Sequence, residues 1–209
     1  MTPATAAPRS RLNPDERRAQ LIAVGLTMLS DRALHELSVE ELAAGAGISK
    51  ALVFHYFGSK QELLAAIAAA AADDFIAVTE PDPTLPLDEQ LDQSMAAFVR
   101  YVADNRVGYV MLVRGPASAD DAMRDLFEQT RTRVVDRIIA KLGPLEPSPP
   151  AFRMVVRGWV AFAEEVTTTW VSDPSVSEGD VLDLLRGSLT QLVGLVLADP
   201  LGLVGDDAP

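Results

Sequence analysis

A helix start repeated along the chain sets the first limit on its fold. At five points a Ser or Asn stands three positions ahead of an acid: Asn13 with Glu16, Ser38 with Glu41, Ser59 with Glu62, Ser118 with Asp121 and Ser177 with Asp180. At that spacing the side-chain oxygen accepts a hydrogen bond from an otherwise free N–H of the first turn, and the acid can reach back to the cap's own N–H. Pro14 supplies a pre-set backbone angle at the first helical position, and Ser49 is a further cap. Behind the starts, apolar residues recur at helical spacing, as in Leu21, Ile22, Leu26, Met28 and Leu29. No segment alternates polar and apolar residues as a half-buried strand does. The fold class is therefore all-α, with about nine helices predicted over 14–31, 39–46, 50–56, 60–78, 87–103, 106–114, 119–142, 150–171 and 178–198.

Prolines and glycines separate these helices: Gly115-Pro116, the run GPLEPSPP over 143–150, and Asp173-Pro174. The segment EPDPTLPL over 80–87 contains three prolines and marks the best boundary. The expected organisation is a flexible arm over 1–13, a first domain over 14–75, a second over 76–200 and a disordered acidic tail over 201–209.

Charge follows this division. The 209 residues carry a formal net charge of -12, which argues against a protein that coats nucleic acid or anionic membrane with its whole surface. Yet residues 1–60 hold seven Lys or Arg against six Asp or Glu, while residues 61–209 hold eleven against twenty-four. An anion-binding part belongs in the first sixty residues. The absence of Cys excludes disulfides, thiolate metal sites and Cys nucleophiles, and His35 and His55 alone make no metal site, so neither metal nor cofactor is expected. The longest strongly apolar run, 63–72, is ten residues, against roughly 20 needed to span a bilayer. With no secretory signal after Arg9 and Arg11, the chain reads as cytoplasmic, with no membrane partner.

Chemistry concentrates in the stretch SVEELAAGAGISKALVFHYFGSK over 38–60. Two short helices joined by a tight Gly47 turn form a helix-turn-helix, with Leu42, Ile48, Val53 and Phe57 inward and Ala43 small enough for two helices to cross closely. Ser49, Lys50, Ala51, Leu52, Phe54, His55 and Tyr56 then fall on or near the outward face. A helix laid into the major groove presents its N-terminal turn to base edges while flanking donors hold phosphates.

The segment AGISKALVFHYFGSKQELL resembles the DNA-binding signature of the tetracycline-repressor (TetR) family, with similarity over 14–75. The resemblance implies a homodimeric, ligand-responsive transcriptional regulator, most often a repressor, bound to double-stranded operator DNA. Lys60 matches the family's phosphate-binding Lys at the start of the connecting helix, where backbone N–H groups also point at the anion. Ser38 and Ser49 match hydroxyl positions at the starts of the two short helices, and His55 and Tyr56 fall in the aromatic pair that touches backbone or base edges. Phe54 stands where the family usually has Tyr, Ala51 replaces a common Gly, Ser or Thr, and Ala33 replaces a usual Gly. Leu52 can pack on a thymine methyl. Arg9, Arg11, Arg17 and Arg18 are further donors to phosphate.

Beyond residue 87 the chain reads as a sensor for an unidentified small-molecule effector. Phe98, Tyr101, Tyr109, Phe127, Trp159, Phe162 and Trp170 are the candidate lining, with Arg114 as a polar anchor for a partly apolar ligand. Glu164, Glu165, Thr167, Thr168 and Thr169 are further candidates for inward-facing polar groups. Phe152, Val155, Val156, Trp159, Phe162, Ala163, Val166 and Trp170 form one helical stripe, and since Glu164 points away from it, plain surface is the alternative for that residue. The last helix is apolar on more than one face, which favours a homodimer through the last two helices and an operator that is an inverted repeat. The alternatives are a helical ligand-binding protein that does not touch DNA, and a helical enzyme using Glu164, Glu165 and an Arg as acid-base groups. The second is weakened by the lack of any His after His55.

Overall fold

The structure, a computed structural model, describes residues 12–114, 121–142 and 150–197, with side chains for 12–111, 121–142 and 151–196. The arm over 1–11, the Ser118 cap, the breakers at 115–116 and 143–149, the Arg114 side chain and the tail lie outside the described residues. Nine α-helices and one 3-10 turn follow in order, with no strand among the described residues. They are α1 (Pro14–Met28), the 3-10 turn (Leu34–Glu36), α2 (Val39–Gly45), α3 (Lys50–Phe57), α4 (Lys60–Val78), α5 (Leu87–Asp104), α6 (Arg106–Arg114), α7 (Asp121–Leu142), α8 (Pro150–Ser172) and α9 (Glu178–Leu197).

The caps behave as their spacing requires. Asn13 accepts from the Glu16 N–H at 2.9 Å while its own N–H donates to the Glu16 carboxylate at 2.7 Å. Ser38, Ser59 and Ser177 accept from the N–H groups of Glu41, Glu62 and Asp180 at 3.1, 3.1 and 3.2 Å. Each such cap contributes about 1 kcal/mol.

The first helix is shorter than its periodicity predicts. It ends at Met28 rather than at 31, and the chain then makes the 3-10 turn that the sequence reading did not anticipate. Two causes are local. The Thr27 hydroxyl donates to the Ala23 carbonyl at 3.0 Å and the Ser30 hydroxyl to the Thr27 carbonyl at 2.9 Å, which compete with regular pairing. The third is tertiary, because α6 lies against the backbone at Leu29.

Two apolar cores result. In the first, Leu21, Leu37, Leu42, Val53, Phe57, Leu63 and Ile67 are almost fully buried between α1, α2, α3 and the start of α4. Helices pack tightly here because small residues stand at the crossings: a Cβ on Gly25 would lie 2.4 Å from Ile67 Cδ1, and one on Gly45 2.7 Å from Val24 Cγ1. Truncating Leu63 to Ala would cost about 2–5 kcal/mol. The second core joins α5, α7, α8 and α9 around Val99, Val135, Phe152, Val156, Trp159 and Leu185. Trp159 ties α8 to α9, its Nε1–H lying 3.2 Å from the Leu185 carbonyl and 3.0 Å from Ser188 Oγ. Helix α4 runs from one core to the other, packing on α1 at its start and on α5 and α7 beyond.

Candidate nucleic-acid interface and effector cavity

The head presents α3 outward because its inward positions are fixed. Val53 and Phe57 are buried, and Gly47 turns the chain between α2 and α3 with φ +66°, a conformation that glycine adopts without Cβ strain. Gly58, with φ +71°, makes the second turn, from α3 into α4. Ser49 caps α3 through the Leu52 N–H at 3.3 Å. Lys50, Ala51, Phe54 and His55 are exposed, while Leu52 and Tyr56 are half-buried. Lys60 is the first residue of α4, half-buried at that helix's N-terminus. Ser38 and Ser49 sit at the starts of the two short helices. The nine residues singled out in the sequence therefore share the region where α2, α3 and α4 begin.

Two ion pairs shape this face. Lys50 Nζ lies 2.5 Å from Glu40 Oε1 and 5.8 Å from the centre of the Phe54 ring. The Glu40 carboxyl is held below its usual range by the Lys50 hydrogen bond. Glu41 is likewise lowered, by Arg32 at 2.7 Å and by the Ser38 hydroxyl at 2.8 Å. Arg18 donates to the Tyr56 carbonyl and stacks its guanidinium 4.2 Å above the Phe57 ring, pinning α3 to α1. His55 and Tyr56 meet edge to face at 5.4 Å.

A cavity of about 190 Å³ lies between the head and the second core. Leu26, Leu29 and Leu34 of the head border it, facing residues of α4, α5, α7 and α8. Phe98, Tyr101, Tyr109, Phe127 and Trp159 line it. The structure does not bring Phe162 or Trp170 there. Phe162 is 37% exposed on the outer side of α8, and the Trp170 Nε1–H donates to the Val176 carbonyl at 3.0 Å, past the helix end.

Glu164 takes one of the two places that the sequence left open for it. It lines the cavity instead of facing solvent, because Val160, Ala163, Glu164 and Thr167 form a second stripe at positions i, i+3, i+4 and i+7. Arg131 grips it with two nitrogens, at 3.2 and 2.6 Å, and also reaches Glu128 at 2.5 Å. Burial raises the Glu164 pKa despite that grip. Arg131 and Glu40 were missed as site residues. The second stripe on α8 was the available signal for a buried acid that needs a cation.

Residues 21–67 match the family described as "Bacterial regulatory proteins, tetR family", and residues 87–192 match "Tetracyclin repressor-like, C-terminal domain". The HTH-type transcriptional activator FasR of Mycolicibacterium smegmatis is 25% identical over 169 residues, covering 78% of this chain and 76% of that protein. The HTH-type transcriptional regulator EthR of Mycobacterium tuberculosis is 40% identical over 55 residues, about a quarter of each chain at 26%. A tetR-family transcriptional regulator from Streptomyces coelicolor has the same fold, with TM-score 0.76, 29% identity and coverage of 95% of this chain and 94% of that one.

A helix-turn-helix head carried on a helical domain defines a DNA-binding transcriptional regulator. Within that class, the matches at both ends of the molecule show that this chain belongs to the tetracycline-repressor (TetR) family. Among the described residues no helix is long and apolar enough to cross a membrane.

Proposed function

We propose that the protein is a homodimeric repressor of an inverted-repeat operator, released when a small, largely apolar effector fills the cavity. The observation that carries this reading is that one cavity is bordered both by the head, through Leu26, Leu29 and Leu34, and by α4 to α8. An occupant that fits only one arrangement of these helices changes where α4 sets the recognition helix. Such a ligand must prefer the non-binding arrangement, since equal affinity for both shifts nothing. FasR is named an activator, so regulation of the opposite sign is the outcome to test against.

In this reading residues 14–75 form the DNA-binding domain and 76–200 the sensor and dimer domain, and the two separate apolar cores support that division. Lys60, Ser38, Ser49, His55 and Tyr56 hold phosphates, while Lys50, Ala51, Leu52 and Phe54 face base edges. Phe98, Tyr101, Tyr109, Phe127 and Trp159 touch the effector. The chain acts without catalysis, as a cytoplasmic protein.

The dimer face is formed by α8 and α9. Met154 (74% exposed), Phe162, Leu184 and Leu195 stand on their outer sides, with Gly158, Gly187 and Gly194 among them. A Cβ at any of these glycines would meet nothing within 4 Å in one protomer. Glycine inside a helix costs about 1 kcal/mol relative to Ala, and close backbone approach by a second copy supplies a reason for it.

The deciding experiment measures binding of the full chain to its own upstream DNA, for the wild type and for Ala72→Trp, which grows a side chain into the cavity. Sequence-specific binding by the wild type and its loss in Ala72→Trp at unchanged helix content support the proposal. Equal specific binding by both sinks release through the cavity, and no specific binding by either sinks the operator.

A further inference from the structure

Resting on the reading of this cavity as the effector site, we infer that the effector is an uncharged, mainly apolar molecule of about eight to ten non-hydrogen atoms whose carbonyl or ether oxygen accepts a hydrogen bond from Tyr109.

Size comes first. The cavity is about 190 Å³. An apolar cavity of about 150 Å³ accepts benzene, so this one takes a single ring with a short substituent or its alicyclic equivalent.

Charge is the second constraint. Among the described residues three cations border the cavity, Arg131, Arg137 and Lys141, and each already faces an acid. Arg131 is shared by Glu164 and Glu128 at 2.6 and 2.5 Å, while Glu80 lies 2.9 Å from Arg137 and 3.9 Å from Lys141. Lys141 also donates to the Gln90 amide oxygen at 2.7 Å, and Arg137 to Thr79 Oγ1 at 2.8 Å. Asp74 adds another carboxylate to the lining. At Arg131 an anion would have to displace Glu164, whose side chain is 12% exposed, and leave it unpaired at high cost, while at Arg137 and Lys141 it would meet the Glu80 charge. A cation fares no better. Glu164 is neutralised by Arg131, and the rings of Phe75, Phe98, Tyr101 and Tyr109 pack edge to face on one another at 5.2–6.5 Å instead of standing open as a cage.

The polar handle is the third constraint. Most lining donors are taken by backbone carbonyls: Tyr101 by Ala71 at 3.1 Å, Thr130 by Leu126 at 2.8 Å, Thr79 by Phe75 at 2.7 Å and Asn105 by Tyr101 at 3.0 Å. Among the described residues the Tyr109 hydroxyl has no hydrogen-bond partner, and it lines the cavity within the aromatic cluster. Burial, with the Glu164 charge nearby, raises its pKa, so it stays a phenol and donates. A hydroxyl that faces a mainly apolar cavity gains from a ligand oxygen placed to accept from it. Among the described lining residues Ser94, a shorter side chain on α5, also has no hydrogen-bond partner for its hydroxyl.

The test uses the full-length protein and four single-ring probes that differ in polarity and charge: acetophenone, toluene, benzoate and benzyltrimethylammonium, titrated by calorimetry into the wild type and into Tyr109→Phe. Acetophenone should bind most tightly. Its affinity should fall about tenfold in Tyr109→Phe, the scale of one buried hydrogen bond, while toluene binds both proteins equally. Tighter binding of benzoate or of the ammonium, an unchanged acetophenone affinity in Tyr109→Phe, or no binding of acetophenone overturns the inference. If acetophenone binds as stated and operator affinity does not change, the ligand chemistry stands and release through the cavity fails.

Discussion

Gly108 of α6 lies directly against the backbone of Leu29 at the end of α1: a Cβ on Gly108 would come within 2.5 Å of the Leu29 carbonyl oxygen. A side chain therefore has no room at this crossing. Leu29 and Gly108 both border the cavity, so the place where α6 touches the head is also part of the proposed effector site.

Gly108→Val should force α6 away from α1 and weaken operator binding about tenfold, within the usual range for coupling between sites. Overpacking adds about 1–3 kcal/mol of destabilisation. Residues at the DNA face are untouched, so the salt dependence of non-specific binding stays the same. Fluorescence anisotropy on operator and on scrambled DNA, over a salt series, checks both halves.

Glu40→Gln should raise non-specific DNA affinity and steepen its salt dependence. Glu40 holds Lys50 at 2.5 Å, and removing the carboxylate frees that ammonium for a phosphate. One added phosphate contact changes the slope of log K against log salt by about 0.9. A slope that does not move would mean Lys50 reaches DNA regardless of Glu40.

Arg131→Met should destabilise the protein by about 3–5 kcal/mol, because Glu164 is left buried without its partner. The side chains of the pair are only 18% and 12% exposed. Pairing with Glu164→Gln should recover most of the loss. The pH dependence has a definite sign. Burial already raises the folded-state pKa of Glu164 above its unfolded value, and losing Arg131 raises it further. Protonation then favours the folded state, so this contribution is full below the unfolded pKa and disappears as pH rises through the folded one. Urea denaturation across the acidic range should show Arg131→Met regaining stability, relative to the wild type, as pH falls.

Gly194→Leu should leave one protomer intact and break the dimer. Nothing lies within 4 Å of its missing Cβ, and leucine favours helix over glycine by roughly 0.8 kcal/mol. Sedimentation should show a shift to monomer with helix content retained. A dimer of unchanged affinity would place the interface elsewhere.

Much of the fold was legible because its signals are local. A cap such as Ser59 with Glu62, or the left-handed turn at Gly47, is complete within four residues, so the helix boundaries around the recognition helix could be read directly. Glu164 was not legible by the same means. One stripe on α8 was read as its only buried face, whereas α8 packs on α5, α6, α7 and α9 and buries a second. Phe162 stands at the edge of the first stripe away from the second and goes outward. The closeness of Gly108 to Leu29 depends on helices 79 positions apart, and nothing near either residue announces it.

Trp159 carries a consequence for observing the molecule at work. Its indole N–H is fixed to α9 while its ring borders the cavity, and the chain has only two tryptophans. The other, Trp170, sits at the far end of α8. With Trp170 replaced by Phe, the emission of a single native fluorophore reports the polarity inside the cavity, so occupancy is visible without a label.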